Sequence, residues 1–165
     1  IEMDGKSAPA FYYRGLTFFN KKEYDKAILD LSRSTRLDTK YIEAHRFLGY
    51  TYFKREKYDL AISFYSKALD LNPRSHAIYN ERGLAYLEKK DFDRAVSDFT
   101  KAIEIAPKYS EAYSNRGRAL FSKKSYLKAL EDYTKAIEFD PKNADAYRNR
   151  ANLYDKIGDR GLARN

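Results

Sequence analysis

Residues 76–109 read HAIYNERGLAYLEKKDFDRAVSDFTKAIEIAPKY, and residues 110–143 read SEAYSNRGRALFSKKSYLKALEDYTKAIEFDPKN. Laid over one another, they match Tyr79 with Tyr113, Gly83 with Gly117, Ala95 with Ala129, Ala102 with Ala136 and Pro107 with Pro141, always 34 residues apart. The same step links Pro73 to Pro107, runs through Gly15, Gly49, Gly83 and Gly117, and carries Ala27 to Ala61 and Ala95. A fifth unit opens at Ala144 with Tyr147, Ala151 and Tyr154 in register, then stops early. Such self-similarity outranks other signals, because each copy is one supersecondary unit that cannot bury its apolar face alone.

Each unit holds two stretches of helical period. In the third, Ile78, Arg82, Ala85 and Tyr86 share a face of a first helix near 77–89. Ala95, Val96, Phe99, Ala102 and Ile103 recur at three- and four-residue steps in a second helix near 93–105. Between them, Lys89 and Lys90 suit the negative end of the first helix and Asp93 the positive end of the second. Pro107 prevents the second helix from continuing, and no period-2 segments suggest strands. Gly83 inside a helix costs about 1 kcal/mol relative to Ala, so it needs a packing reason. The expectation is close approach of the first helix to the second at Ala95, with Ala102 admitting the next unit and Tyr79, Tyr86, Phe92 and Phe99 filling the remaining space.

The wider composition agrees. The chain has 165 residues, 43% hydrophobic and 34% charged, which permits a core and argues against disorder. It has no cysteine, which removes disulfides, thiolate zinc sites and cysteine nucleophiles. Apolar runs such as Leu48 to Phe53 are broken by Gly49 and Thr51 and fall far short of the roughly 20 residues a membrane span needs. No signal peptide is visible, and a cytoplasmic location is favoured. A chain that begins at Ile1 rather than Met reads as a fragment.

The order aromatic, Gly, aromatic, Ala, aromatic, Ala, Pro resembles the tetratricopeptide repeat (TPR). Its residues here are Tyr79, Gly83, Tyr86, Ala95, Phe99, Ala102 and Pro107, then Tyr113, Gly117, Leu120, Ala129, Tyr133, Ala136 and Pro141. The second unit departs at His45. The first departs at Leu31, Ser34 and Thr39, so its second helix carries the weakest signal. The resemblance implies an all-α fold, a right-handed α-solenoid of antiparallel helix pairs (the TPR superhelix) with about four and a half repeats. An N-terminal extension over 1–7 is followed by repeats near 8–41, 42–75, 76–109 and 110–143 and a partial one over 144–165.

The resemblance also implies that first helices line a concave groove. Its positions map to Tyr12, Leu16 and Phe19; Arg46, Tyr50 and Phe53; Asn80, Leu84 and Leu87. They continue with Ser114, Asn115, Arg118 and Phe121, then Arg148, Asn149 and Asn152. The aromatic N-terminal part suits apolar side chains. Farther on, Asn115 and Asn149 stand 34 apart as a short amide ladder able to hold a peptide backbone. Arg46, Arg118 and Arg148 offer two-pronged pairing with carboxylates or phosphates. Asn and Arg on a solvated helix face need no ligand at all, however. The TPR groove that clamps the C-terminal carboxylate of heat-shock chaperones needs a set of Lys, Arg and Asn that no starting unit supplies, and Glu81 or Asp145 would repel a carboxylate.

The net charge of +8 is spread along the chain. Lys21-Lys22, Lys54-Arg55, Lys89-Lys90 and Lys123-Lys124 recur near the ends of first helices and form a basic edge. That edge either steers an acidic protein, a nucleic acid or an anionic surface, or merely complements the helix dipoles. No catalytic constellation, metal site or cofactor motif is found: His45 and His76 stand alone, and the glycines lie inside helices rather than in a phosphate-cradling loop. The expected function is therefore a non-catalytic scaffold that binds an extended peptide segment of another protein. The alternatives are RNA or anionic-surface binding through the basic edge, or end-to-end homo-oligomers in which a fifth unit, cut off at Gly158 where a second helix begins, leaves Tyr147, Leu153, Tyr154 and Ile157 partly uncovered.

Overall fold

The computed structural model describes residues 7–162, so the expected N-terminal extension lies almost wholly outside them. Among the described residues there are α-helices and no strands: α1 (Ala8–Asn20), α2 (Tyr24–Leu37), α3 (Ile42–Lys54), α4 (Tyr58–Leu71), α5 (His76–Glu88), α6 (Phe92–Ile105), α7 (Ser110–Ser122), α8 (Tyr126–Phe139) and α9 (Ala144–Leu162). The first helices start at residues 8, 42, 76, 110 and 144. Contacts divide the chain into two compact halves, one ending at Ala85 and the other beginning at Tyr86.

Helix starts and stops follow from local chemistry. Ser7 caps α1 by accepting from the Ala10 N–H, and Asp91 caps α6 by accepting from the Arg94 N–H. Where a first helix ends, the Lys22 N–H donates to Phe19 O and the Glu23 N–H to Phe18 O, at 2.8 and 2.9 Å. The same pair of bonds recurs at Glu56 and Lys57, at Lys90 and Asp91, and at Lys124 and Ser125. This is a Schellman cap, and it places Lys22, Glu56, Lys90 and Lys124 in the left-handed region, with φ between 57° and 62°.

In the N-terminal half, α1 packs on α2, α2 on α3 and α3 on α4. Ala27, Leu31, Leu48, Ala61 and Ala68 are completely buried. The glycines admit the alanine the sequence suggests and, closer still, a second neighbour. A Cβ at Gly15 would lie 2.8 Å from Leu31 Cγ, and one at Gly49 would lie 3.0 Å from Tyr65 Cδ1. The side chain sixteen residues on sits over the glycine, and the small alanine twelve residues on contributes its backbone oxygen, 3.4 Å away for Ala27 and 3.2 Å for Ala61. Leu31 and Ser34 do not weaken α2. Leu31 fills the place of Tyr65, and the buried Ser34 hydroxyl donates to Ala8 O at 2.8 Å. In the fourth repeat the two residue types exchange helices, and Ser110 donates to Ala136 O at 2.7 Å.

In the C-terminal half, α6 packs on α7, and α7 and α8 pack on α9. Tyr133, 2% exposed, lies against Gly117 and joins a core with Ala129 and Leu153. Leu153 is thus buried, not uncovered as expected, while Tyr147 and Tyr154 remain 45% and 55% exposed. The anticipated turn at Gly158 is also absent, since α9 runs on to Leu162.

Ion pairs with buried carboxylates tie first to second helices at equivalent places. Arg14 Nη2 donates to Asp30 Oδ1 at 2.7 Å, and Arg116 Nη2 to Asp132 Oδ1 at 2.8 Å, with Asp30 and Asp132 2% and 4% exposed. The second repeat carries Leu48 and Phe64 at these positions, packed in one apolar cluster.

Candidate functional site: grooves on the first-helix face

Three first helices of the N-terminal half converge on a cavity of about 470 Å³ lined by Tyr12 of α1, Glu43, Arg46, Phe47 and Tyr50 of α3, and Glu81 of α5. Tyr12, Arg46 and Tyr50 of the expected lining are therefore brought together. The rings form a connected wall: Tyr12 to Phe47 at 6.3 Å, Phe47 to Tyr50 at 5.7 Å, and Phe19 behind them at 5.0 Å from Phe47 and 5.3 Å from Tyr50. Tyr12 also meets Tyr13 and Tyr41 at 5.2 and 5.1 Å. Phe53 turns aside onto Tyr58, Leu84 is half-buried, and Asn80 is buried at 6% exposure rather than offered as groove surface.

Glu43 and Phe47 lie outside the expected lining, and Glu81 is expected there only as a group that repels a carboxylate. Phe47 and Glu81 stand at the 34-residue step that ends in Asn115 and Asn149, so the signal was present. Arg46 does not project an open fork. Its Nε donates to both Glu81 carboxylate oxygens, at 2.9 and 3.1 Å, and its Nη2 to Oε1. That bonding holds the guanidinium charged, with its pKa above the ordinary arginine value. Burial, then the neighbouring Glu43 carboxylate, pushes the Tyr12 hydroxyl up, against a smaller pull from Arg46.

In the C-terminal half, Arg118, Phe121, Asn149 and Asn152 line a smaller cavity of about 180 Å³ with Ser122 and Tyr133. Asn115 accepts from Arg118 at 3.5 Å, and Glu88 lies 3.7 Å from the same guanidinium. The Asn149 Nδ2 is buried with no hydrogen-bond partner, as is the Ser114 hydroxyl. Arg148 is exposed and pairs with Asp145. All three arginines expected to clamp anions thus already face a carboxylate of this chain.

Other features resolve into packing. His45 Nε2 lies 2.9 Å from Thr39 O, the place where the Tyr113 hydroxyl reaches Pro107 O at 3.2 Å, so the histidine substitutes for the repeat's tyrosine. His45 also borders a cavity of about 590 Å³ lined by residues of α2 and α4. The basic edge is partly neutralised: Arg55 bonds Asp25 and Lys123 bonds Asp93, each across 30 residues. Among the described residues no three metal-ligating side chains cluster, and no helix is long and apolar enough to cross a membrane.

Comparison with known proteins assigns the architecture. Residues 46–110 match the family model "Tetratricopeptide repeat" and residues 117–158 the model "TPR repeat". The TPR domain of Arabidopsis OM64 is 31% identical, covering 70% of this chain and 95% of that one, with a TM-score of 0.68.

The chain belongs to the tetratricopeptide repeat family.

The first TPR of Spaghetti (RPAP3), solved bound to the HSP90 peptide SRMEEVD, is 31% identical over 73% of this TPR chain and 96% of its own, with a TM-score of 0.69. MamA is 26% identical over 96% of this chain and 87% of its own, with a TM-score of 0.84. No curated protein sequence matches. By family and architecture this TPR chain is a protein–protein interaction scaffold.

Proposed function

We propose that this TPR chain is a non-catalytic scaffold that holds an extended segment of a partner protein on its first-helix face. The observation that carries the reading is the cavity walled by Tyr12, Phe47 and Tyr50, where α1 and α3 present aromatic side chains around open space. Rings there contribute large apolar area at little conformational cost. Asn115 and Asn149 supply amides for a peptide backbone in the other half. A relative 31% identical to this chain was solved with a peptide bound, which supports the mode of use. Neutralisation of Arg55 and Lys123 by Asp25 and Asp93 weighs against a phosphate-binding edge.

The test is an array of random nonapeptides probed with the labelled chain. The wild type is expected to capture a defined subset. Tyr12→Ala with Tyr50→Ala, and separately Asn115→Ala with Asn149→Ala, are expected to lose that subset while keeping helical signal. Capture unchanged in both double variants would defeat the reading. Self-association through Tyr147 and Tyr154, exposed on α9, is the second reading, and sedimentation showing only monomer at high concentration counts against it.

A further inference from the structure

The N-terminal groove has a charge character opposite to that suggested by its arginine. Glu43 and Glu81 face the same cavity as Arg46. Arg46 spends its fork on Glu81, whose side chain is 20% exposed, so guanidinium and carboxylate largely cancel toward a guest. Glu43 is exposed and makes no ion pair among the described residues. What remains for a guest is a carboxylate lining the same cavity as the rings of Tyr12, Phe47 and Tyr50. Aromatic faces are negative, and with an adjacent carboxylate they attract cations and disfavour anions. The chain already uses this attraction at the margin, where Lys54 Nζ sits 5.2 Å from the centre of the Tyr50 ring.

We infer that the cavity lined by Tyr12, Glu43, Phe47, Tyr50 and the closed Arg46–Glu81 pair receives a lysine or arginine side chain of the bound peptide. The inference rests on the peptide-binding reading above. The aliphatic stem of the guest lies along Phe47 and Tyr50, and its charged head meets the Tyr12 ring and the Glu43 carboxylate. A peptide with an acidic side chain at that position is excluded twice: Glu43 repels it, and the guanidinium that would receive it is occupied. Glu81 is a positioning residue, since it acts by closing Arg46.

The same nonapeptide array reads this out through the composition of what is captured. Wild type is expected to enrich Lys and Arg over Asp and Glu about threefold or more at one position of the bound set. Glu43→Gln/Glu81→Gln removes both carboxylates and frees Arg46, so the preference is expected to invert toward Asp and Glu. Glu43→Gln alone changes one exposed side chain, leaves the Arg46–Glu81 pair intact, and is expected to abolish most of the basic enrichment. It therefore tests the idea even if the double variant fails to fold. Capture of peptides without basic enrichment, or with acidic enrichment, overturns this inference and leaves the peptide-binding reading standing. Enrichment that survives Glu43→Gln likewise overturns it. No capture of any peptide by wild type overturns both.

Discussion

Tyr133 lies so close to Gly117 that a Cβ there would stand 2.5 Å from its Cε1 and 2.8 Å from its Cδ1. The ring is 2% exposed, so a side chain at position 117 forces the ring or the helices α7 and α8 to shift. Gly117→Ala is expected to lower stability by about 1–3 kcal/mol, despite the better helix propensity of alanine. At Gly49 the nearest atoms stand 3.0–3.2 Å away, so Gly49→Ala is expected to cost clearly less, because the propensity gain offsets most of the crowding. Urea midpoints of the two variants check the order.

The Arg116–Asp132 pair has an apolar counterpart in the same chain, Leu48 with Phe64. Asp132→Ala leaves a guanidinium only 22% exposed and without its carboxylate, and is expected to cost on the order of 3 kcal/mol. Arg116→Leu with Asp132→Phe is expected to recover most of that loss, because no charge is stranded. A double variant as unstable as the single one would show that the fourth repeat cannot accept the packing of the second.

Lys124 holds a left-handed conformation, φ 62°, at the Schellman cap that ends α7. An L side chain there costs free energy that glycine avoids. Lys124→Gly is expected to raise stability by up to about 1 kcal/mol, read as a higher urea midpoint with unchanged slope.

Burial pushes the Tyr133 hydroxyl up to about 12, with a smaller opposing pull from Arg118, and burial raises Tyr65 as well. The folded state therefore keeps its proton where the unfolded chain has lost it. This contribution is present in full below the unfolded tyrosine value of about 10 and is lost as pH rises through about 12. Melting temperature is expected to fall over that window, and less steeply in Tyr133→Phe. Equal slopes would mean that lysine titration dominates.

Much of this molecule was legible in one dimension. A step of 34 residues, helical period, prolines after second helices and glycines within first helices dictate α-helical hairpins, because those signals act through backbone geometry and the burial of one face. The resemblance those residues carry also implies a common face for Tyr12, Arg46 and Tyr50, which line one cavity. What lay beyond the sequence was the partner of each side chain. Arg46 meets Glu81 across 35 residues, Arg55 meets Asp25 across 30, and Gly117 meets Tyr133 across 16. Those intervals depend on how far each helix is offset and rotated against its neighbour, and only tertiary packing sets that. The same packing paired Arg46 with Glu81: both are visible in the sequence, but only the offset of α3 against α5 brings the guanidinium within hydrogen-bond distance of the carboxylate.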